Sequence, residues 1–242
     1  MELEGTNALI TGAAHRVGKA IALRLAQEGC NIALHYNASA KDAGRTLADV
    51  KAFSVEAQSY QADLRSTQDI QALFQAIEHD FQRLDILVNS AAIMQRKPFH
   101  KVTPDDWEAT IDLNLRSVFF CTQSAVKMMG QTGGVVINIS DIAGLQPWVG
   151  YPVHSISKAG VEMLTKVAAL AFAPSIRVNA VAPGPVLKPD HMSQERWDEI
   201  GNDLPLGTPG EPADITEAII FLLKNDSITG ETLVVDGGHQ II

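Results

Sequence analysis

The segment YPVHSISKAG, residues 151–160, groups side chains that could exchange protons with a bound molecule. Lys158 follows His154 by four residues, and in a helix of 3.6 residues per turn this spacing places both side chains on one face. An imidazole and an amine so placed form either a proton-transfer pair or two solvated neighbours. Tyr151 lies two helical turns from Lys158, ~10 Å along the axis, and is a candidate for lining a substrate pocket or for packing at the helix entry.

A second segment, ITGAAHRVGKAIA at residues 10–22, has the composition of a phosphate-binding turn. Gly12 and Gly18 bracket a tight turn between the first strand and the first helix. Backbone N–H groups and a helix N-terminus at such a turn can hold a pyrophosphate. The segment predicts dinucleotide binding, and the alternative is an ordinary glycine-containing turn.

The end of the second strand bears on the choice between NAD and NADP. Proteins that prefer NAD usually carry an acidic residue there for the ribose 2′-hydroxyl, and ALHYNASA (33–40) has none. His35, Tyr36, Asn37 and Ser39 can accommodate a 2′-phosphate, with Arg16 as the cation. This favours NADP as the cofactor, the alternative being polar residues of a loop with no ligand.

The elements that must position these residues alternate along the chain. Apolar runs separated by amphipathic stretches predict an α/β fold with a parallel sheet covered on both faces. The predicted strands are 7–10, 31–36, 55–63, 84–89, 134–140, 176–182 and 232–237, and the predicted helices are 16–28, 40–52, 66–81, 104–130, 151–172 and 212–224. Residues 183–211, rich in Pro and Gly around an amphipathic piece at 193–203, break the alternation, so we expect a substrate lid over 185–210.

Composition excludes several classes of protein. The 242 residues carry a net charge of −9 with no run of Lys or Arg, so no nucleic-acid partner is expected. No apolar run is long enough for a membrane span, and the first residues do not resemble a signal peptide. Cys30 and Cys121 are predicted to be core thiols of a reduced, cytoplasmic protein. We expect one domain over 1–242 and no metal site.

Taken in order, the motifs resemble the short-chain dehydrogenase/reductase family over nearly the whole chain. Thr11, Gly12 and Gly18 match its T-G-x-x-x-G-x-G turn, with Arg16 at the middle glycine. The other matching segments are AD (62–63), VNSAA (88–92), DLNL (112–115), RVNAVAPG (177–184) and TGETLVVDGG (229–238). The resemblance implies a single-domain Rossmann-type doubly wound sheet of seven strands in the order 3-2-1-4-5-6-7. It also implies a homodimer or homotetramer that pairs through helices 104–130 and 151–172.

The resemblance also implies a set of site residues. Asp63 corresponds to the adenine-contacting Asp, the alternative being a helix-entry carboxylate, and Asn114 to a catalytic helix Asn, the alternative being a buried amide. Lys158 matches the Lys of the Y-x-x-x-K signature. The complete set expected to bind the cofactor is Gly12, Arg16, Val17, Gly18, His35, Tyr36, Asn37, Ser39, Asp63, Leu64, Asn89, Ala91, Lys158, Pro183, Gly184 and Val186.

Two catalytic positions depart from the family. His154 stands at the position of the family's Tyr, and Asp141 at that of its Ser. An imidazolium is a stronger acid than a phenol, so His154 can protonate a substrate while it is charged. Lys158 disfavours that charge and Asp141 favours it, and the sequence does not decide the balance.

The altered positions resemble those of pteridine reductases, which use NADPH to reduce dihydropterins. That subfamily keeps the Tyr and usually has an aromatic residue where this chain has Met94. The residues expected to contact a small-molecule substrate are Arg16, Met94, Tyr151 and Trp197, with Trp197 alternatively packing the short helix. Three functions remain open: an NADPH-dependent pterin reductase using Asp141, His154 and Lys158, a reductase of a quinone or 3-oxoacyl thioester, or a cofactor-binding protein with little catalysis.

Overall fold

One parallel sheet forms the centre of the computed structural model, which describes residues 1–189 and 192–242. Its strands are β1 (Asn7–Ile10), β2 (Asn31–Tyr36), β3 (Ala57–Gln61), β4 (Ile86–Asn89), β5 (Gly134–Ile139), β6 (Ile176–Pro183) and β7 (Thr232–Val235). Their order across the sheet is β3-β2-β1-β4-β5-β6-β7, and every neighbouring pair is parallel. The predicted α/β fold and strand order are confirmed.

Helices cover both faces of the sheet. They are α1 (Arg16–Gln27), α2 (Ala40–Lys51), α3 (Thr67–Phe81), α4 (Pro104–Ile111), α5 (Ser117–Met129), α6 (Pro152–Phe172), α7 (Gln194–Asp203) and α8 (Pro212–Lys224). The prediction of one continuous helix over 104–130 is wrong, because a π-helical turn, Asp112–Arg116, separates α4 from α5. Apolar periodicity does not distinguish an i→i+5 turn from an i→i+4 turn, and such turns occur often at functional sites.

Local capping explains where two of these helices begin. The Ser66 hydroxyl accepts a hydrogen bond from the backbone N–H of Asp69 at the start of α3. At the start of α4, Thr103 and Asp106 form a reciprocal capping box with Pro104 in the first turn. Each arrangement satisfies N–H groups that the helix itself leaves without partners.

The core consists of two layers, one on each face of the sheet. Because successive side chains of a strand point to opposite faces, Leu9 and Ile10 of β1 enter different layers. Ile10 packs in the layer that contains Leu25 of α1, and Leu9 packs in the layer that contains Phe74 of α3. Burial on both faces explains why the strands are continuously apolar.

Two further expectations concern the thiols and the membrane. Cys30 and Cys121 are both buried and free, as predicted for core thiols. Burial raises the pKa of the Cys121 thiol to about 12. Among the described residues, no helix has the length and apolar character needed to cross a bilayer.

The segment expected to form a lid is only partly described, since Asp190 and His191 lie outside the described residues. Its centre is α7, which Ser193 caps through a bond from the N–H of Arg196. Its second half is anchored, because Leu204 is buried and the Leu206 N–H donates to the carbonyl of Gly237. The role of residues 185–210 as a substrate lid stays a prediction.

Parallel strands bring their carboxyl ends to one edge of the sheet. The Gly-rich turn follows β1, the VNSAA segment includes the end of β4, Asp141 follows β5, and Gly184 follows β6. Motifs separated by up to about 170 residues therefore meet at this edge.

Candidate functional site

The Gly-rich turn after β1 is shaped by close backbone contacts. A Cβ at Gly12, which has φ 67°, would lie 2.9 Å from Cα of Ala91, and a Cβ at Gly18 would lie 2.2 Å from the carbonyl oxygen of Gly12. The Thr11 hydroxyl accepts hydrogen bonds from the N–H groups of Ser90 (2.9 Å) and Ala91 (3.1 Å). The turn is thereby held against the end of β4, and only glycine fits at its two narrow points.

The first turn of α1 is open to an anion. His15 occupies the N-cap position with extended backbone, and its side chain makes no capping hydrogen bond. Free N–H groups at a helix N-terminus, together with the helix dipole, favour a negatively charged group. With the glycine geometry, this fits the pyrophosphate of a dinucleotide.

His35 supports the turn from within the protein. The Gly12 N–H donates to its Nδ1 at 3.1 Å, so the proton is on Nε2, which donates to the Ala62 carbonyl at 3.1 Å. Burial lowers the pKa of His35 to about 4 and keeps the ring neutral. His35 was expected to contact the cofactor, but its buried ring already uses both nitrogens, so it positions the turn instead.

The remaining residues at the ends of β2 and β3 have varied surroundings. Asn37 is exposed, and Ser39 precedes α2 without making a side-chain cap. Tyr36 is half-buried and packs against the core. Asp63 accepts from Arg65 Nε at 2.9 Å and Nη2 at 2.6 Å, and this pairing lowers the Asp63 pKa. Of these, Asn37 and Ser39 remain accessible to a ligand at the strand end.

Arg16 reaches across the cleft rather than toward β2. Its backbone has φ 53°, and its Nη2 donates to the carbonyl of Leu187 at 3.3 Å. The Arg16 guanidinium thus contacts the segment after β6, and its pairing with a 2′-phosphate stays a prediction. Val17 beside it packs against the core.

Several residues expected to bind the cofactor offer only backbone to a ligand. Asn89 is buried, and its amide donates to Asn138 Oδ1 at 2.9 Å and to Thr122 Oγ1 at 3.2 Å. Its side chain thus ties β4 to β5 and does not face the cleft. The other expected residues of this kind are Leu64 and Pro183, which are buried, Val186, which packs against the core, and Gly184, where a Cβ would lie 2.7 Å from Cα of Asp236.

Asn114 locks the loop after β4 to the helices. From the π-helical turn, its Oδ1 accepts from the Ile93 N–H at 2.9 Å, and its Nδ2 donates to the Ile93 carbonyl at 2.8 Å. The same Nδ2 donates to Ser157 Oγ at 3.2 Å. Both amide hydrogens are therefore in use, and the buried Asn114 positions the Ile93 peptide.

His154 lies between that peptide and Asp141. Its Nδ1 is 3.2 Å from the Ile93 carbonyl and 3.4 Å from Asn114 Nδ2, and its Nε2 is 3.3 Å from Asp141 Oδ2. Because the hydrogens of Asn114 are committed elsewhere, Nδ1 carries a proton and donates it to the carbonyl. Nε2 and Oδ2 are close enough to form a hydrogen bond whenever one of the two groups supplies a proton.

The two members of this pair differ in exposure. The side chain of His154 is 3% exposed, whereas that of Asp141 is 23% exposed. The other Asp141 oxygen, Oδ1, accepts from the N–H of Ala143 at 2.8 Å, which fixes the carboxyl group. A substrate in the cleft would therefore meet Asp141, with His154 behind it.

Lys158 lies one turn further along α6. Its Nζ donates to the Ile139 carbonyl at 2.6 Å. Burial lowers the Lys158 pKa to about 8, and the charges of Asp141 and Glu162 oppose that shift. The predicted face of α6 is thus formed, and it unites His154, Ser157 and Lys158.

A groove of about 410 Å³ adjoins this cluster. Of the residues expected to contact substrate, Met94 and Tyr151 line it, whereas Arg16 and Trp197 are not among the lining residues. Trp197 is half-buried on α7. The described residues that line it are Met94, Arg96, Tyr151, Met192, Ser193 and Arg196.

Some contributors were not found from the sequence. The Ile93 carbonyl acts through its backbone, which no residue type reveals. The Ser157 hydroxyl accepts a hydrogen bond from the Asn114 amide. Trp148 packs beside Tyr151 with ring centres 5.9 Å apart. Arg96 lies in the loop after β4 and Arg196 on α7, and nothing local in the sequence brings them together.

Comparisons with known proteins agree with this architecture. A family model described as Enoyl-(Acyl carrier protein) reductase matches residues 12–240. The 3-oxoacyl-(acyl-carrier-protein) reductase FabG of Staphylococcus aureus is 36% identical over 238 residues, which cover 96% of this chain and 97% of the relative. The 3beta-hydroxysteroid dehydrogenase 1 of Eggerthella lenta is 33% identical over 249 residues, with coverages of 99% and 95%.

A solved structure leads to the same assignment. A double mutant of a short-chain dehydrogenase/reductase from Serratia marcescens superposes with a TM-score of 0.92 at 31% identity, covering 98% of this chain and 99% of that one. The chain belongs to the short-chain dehydrogenase/reductase family of oxidoreductases.

Proposed function

We propose that this chain is an NADPH-dependent reductase of a small carbonyl substrate, with 3-oxoacyl thioesters as the leading class. The observation that carries the proposal is the Asp141–His154 pair, in which Nε2 lies 3.3 Å from Oδ2 at the same sheet edge as the Gly-rich turn. The name of the Staphylococcus aureus relative supports the thioester class.

The side chains divide the work by their exposure. When bound, the nicotinamide cofactor supplies the hydride. Asp141 delivers the proton that it shares with His154 Nε2 from Oδ2 to the carbonyl oxygen of the substrate, which leaves a carboxylate beside a neutral imidazole, and the pair then takes up one proton from solvent. His154 positions Asp141 throughout. Asn114 fixes the Ile93 peptide on which His154 is hydrogen-bonded. Lys158 supplies positive charge at the cofactor side of the cluster.

A conservative pair of variants tests this division. In His154→Gln an amide N–H can still donate to Asp141, whereas in His154→Leu no donor remains. We expect kcat to fall by about 100-fold in His154→Leu and in Asp141→Asn, and by about tenfold or less in His154→Gln, with KM little changed. Equal losses in the Gln and Leu variants would show that the Nε2 contact does not matter.

The cofactor preference follows from the open end of β2. No acidic side chain is present there to repel a 2′-phosphate, and Asn37 and Ser39 are accessible. We expect NADPH to bind at least about tenfold more tightly than NADH in a calorimetric titration. Lys158→Ala is expected to weaken NADPH binding, and an unchanged affinity would remove Lys158 from the cofactor site.

Asp141 also supports a second candidate substrate, a dihydropterin. In a dihydropterin the bond that is reduced is an imine beside basic nitrogens, and a carboxyl group is a suitable acid for it. NADPH oxidation should be followed with a dihydropterin, dihydrofolate, a quinone and acetoacetyl-CoA, with His154→Tyr measured beside the wild type. Activity that appears only in His154→Tyr would favour the third possibility, a cofactor-binding protein whose chemistry was lost at residue 154.

Helices α5 and α6 carry an exposed apolar surface that supports assembly into a homodimer or homotetramer. Phe119, Met163, Val167 and Leu170 are exposed large apolar side chains on these helices. Exposed patches of this kind often mark interfaces. Light scattering should show a dimer or tetramer, and Val167→Glu should lower the observed mass, whereas a monomeric wild type would contradict the proposal.

A further inference from the structure

Two arginines lie on the groove beside the Asp141–His154 pair. Met94 of the groove directly follows Ile93, whose carbonyl binds His154, and Tyr151 precedes His154 by three residues. The groove is thus formed in part by the two segments that hold His154, which is paired with Asp141. Its volume of about 410 Å³ lies within the usual range for small-molecule sites.

Arg96 is held in place, and no described acidic side chain pairs with it. The Lys97 N–H donates to the Gly150 carbonyl at 2.9 Å, which ties the loop after β4 to the segment before α6. A Cβ at Gly150 would lie 3.6 Å from Arg96 Nε, so the guanidinium packs along this glycine. Within the described parts of the chain, the side chain of Arg96 forms no hydrogen bond or ion pair.

Arg196 approaches the same groove from α7. Its Nη1 is 2.8 Å from Glu199 Oε2, and both side chains of this pair are well exposed. Exposed pairs of this kind contribute little and exchange partners readily. None of the six described residues that line the groove is acidic, and Arg96 and Arg196 bring two positive charges to it.

We propose that this groove binds the anionic group of the substrate, a carboxylate or a phosphate, between Arg96 and Arg196. The proposal rests on the proposed reductase function and names its substrate class: an oxo compound whose apolar part contacts Met94, Met192 and Tyr151. Two guanidinium charges on one groove repel each other, and a bound anion removes that repulsion. Their planar donor groups also match both oxyanions.

The test compares substrates that differ in charge. The anionic probes are acetoacetate, which offers a carboxylate, and acetoacetyl-CoA, which offers phosphates; the neutral probe is the acetoacetyl thioester of N-acetylcysteamine. Arg96→Gln and Arg196→Gln are each expected to raise KM for an anionic probe about tenfold, with kcat and the neutral thioester nearly unchanged. Arg45→Gln, an exposed arginine on α2, is the matched control.

The arms of the experiment identify the source of the anion. An effect confined to acetoacetate indicates a carboxylate, and one confined to acetoacetyl-CoA indicates a phosphate. Equal changes in KM for the charged and neutral probes, or no change in either variant, would overturn the proposed anion site. Turnover of the neutral thioester would support the reductase function in either case.

Binding provides a readout that does not depend on turnover. Each probe is titrated by calorimetry into protein loaded with NADP⁺. If no probe is reduced, the proposed reduction of thioesters is contradicted. The proposed anion site is still tested in that case, because Arg96→Gln should weaken the binding of the anionic probes. Anionic probes that bind no more tightly than the neutral one to the wild type would refute it.

Discussion

His35 makes the stability of the fold depend on pH in a defined window. In the folded chain its pKa is about 4 because the ring is buried, and in this neutral form its Nδ1 accepts from the Gly12 N–H. In the unfolded chain the ordinary value of about 6.5 applies. The unfolded state therefore binds the extra proton first, and the stabilisation present above pH 6.5 is lost as the pH falls toward 4.

The magnitude follows from the difference between these two pKa values. At ~1.36 kcal/mol per pH unit, the gap corresponds to about 3 kcal/mol of unfolding free energy between pH 6.5 and 4. The free energy of unfolding of a typical domain is about 5–15 kcal/mol, so this difference is a substantial part of it. Protonation also places two donors, Gly12 N–H and Nδ1–H, against each other, so the cofactor turn should loosen over the same range.

Urea unfolding followed by circular dichroism at pH 7, 6, 5 and 4.5 measures this effect. The perturbed variant is His35→Asn, whose amide oxygen can accept from Gly12 but does not titrate. We expect it to be less stable at pH 7 but to lose about 1 kcal/mol less per pH unit than the wild type. His100→Asn, which removes an exposed histidine, is the control. Parallel pH slopes for wild type and His35→Asn would refute the assignment.

Three further outcomes are expected. Gly18→Ala should fold but bind NADPH at least about tenfold more weakly, because its Cβ would lie 2.2 Å from the Gly12 carbonyl. Gly44→Ala, where a Cβ meets open space, should retain affinity in the same calorimetric titration. The Cys121 thiol, with its pKa near 12, should resist a thiol reagent at pH 8 until the chain is unfolded, and rapid labelling in native protein would contradict its burial. Asn114→Ala should lower kcat more than cofactor affinity in steady-state and binding assays, since Asn114 holds Ile93 and not the cofactor.

Local patterns in the amino-acid sequence were sufficient to predict the alternating strands and helices and the Gly-rich turn. The bounds of β1 and β2 agree with the predicted 7–10 and 31–36, because buried parallel strands are uninterrupted apolar runs between turn residues. Gly12 and Gly18 were identifiable because their roles depend on backbone geometry at fixed local spacing. Lys158 and His154 share a face of α6 for the same reason, since helical periodicity is a local property.

Which side chains come together, and which of them faces the cleft, depends on the tertiary structure. The π-helical turn at Asn114, the burial of His154 behind Asp141, and the reach of Arg16 to Leu187 all depend on packing between distant segments. Burial is a property of the whole fold, so the residue types alone could not assign Asp141 and His154 their separate roles. The groove between Arg96 and Arg196 also depends on packing between distant segments, because Arg96 lies in the segment after β4 and Arg196 in the segment after β6.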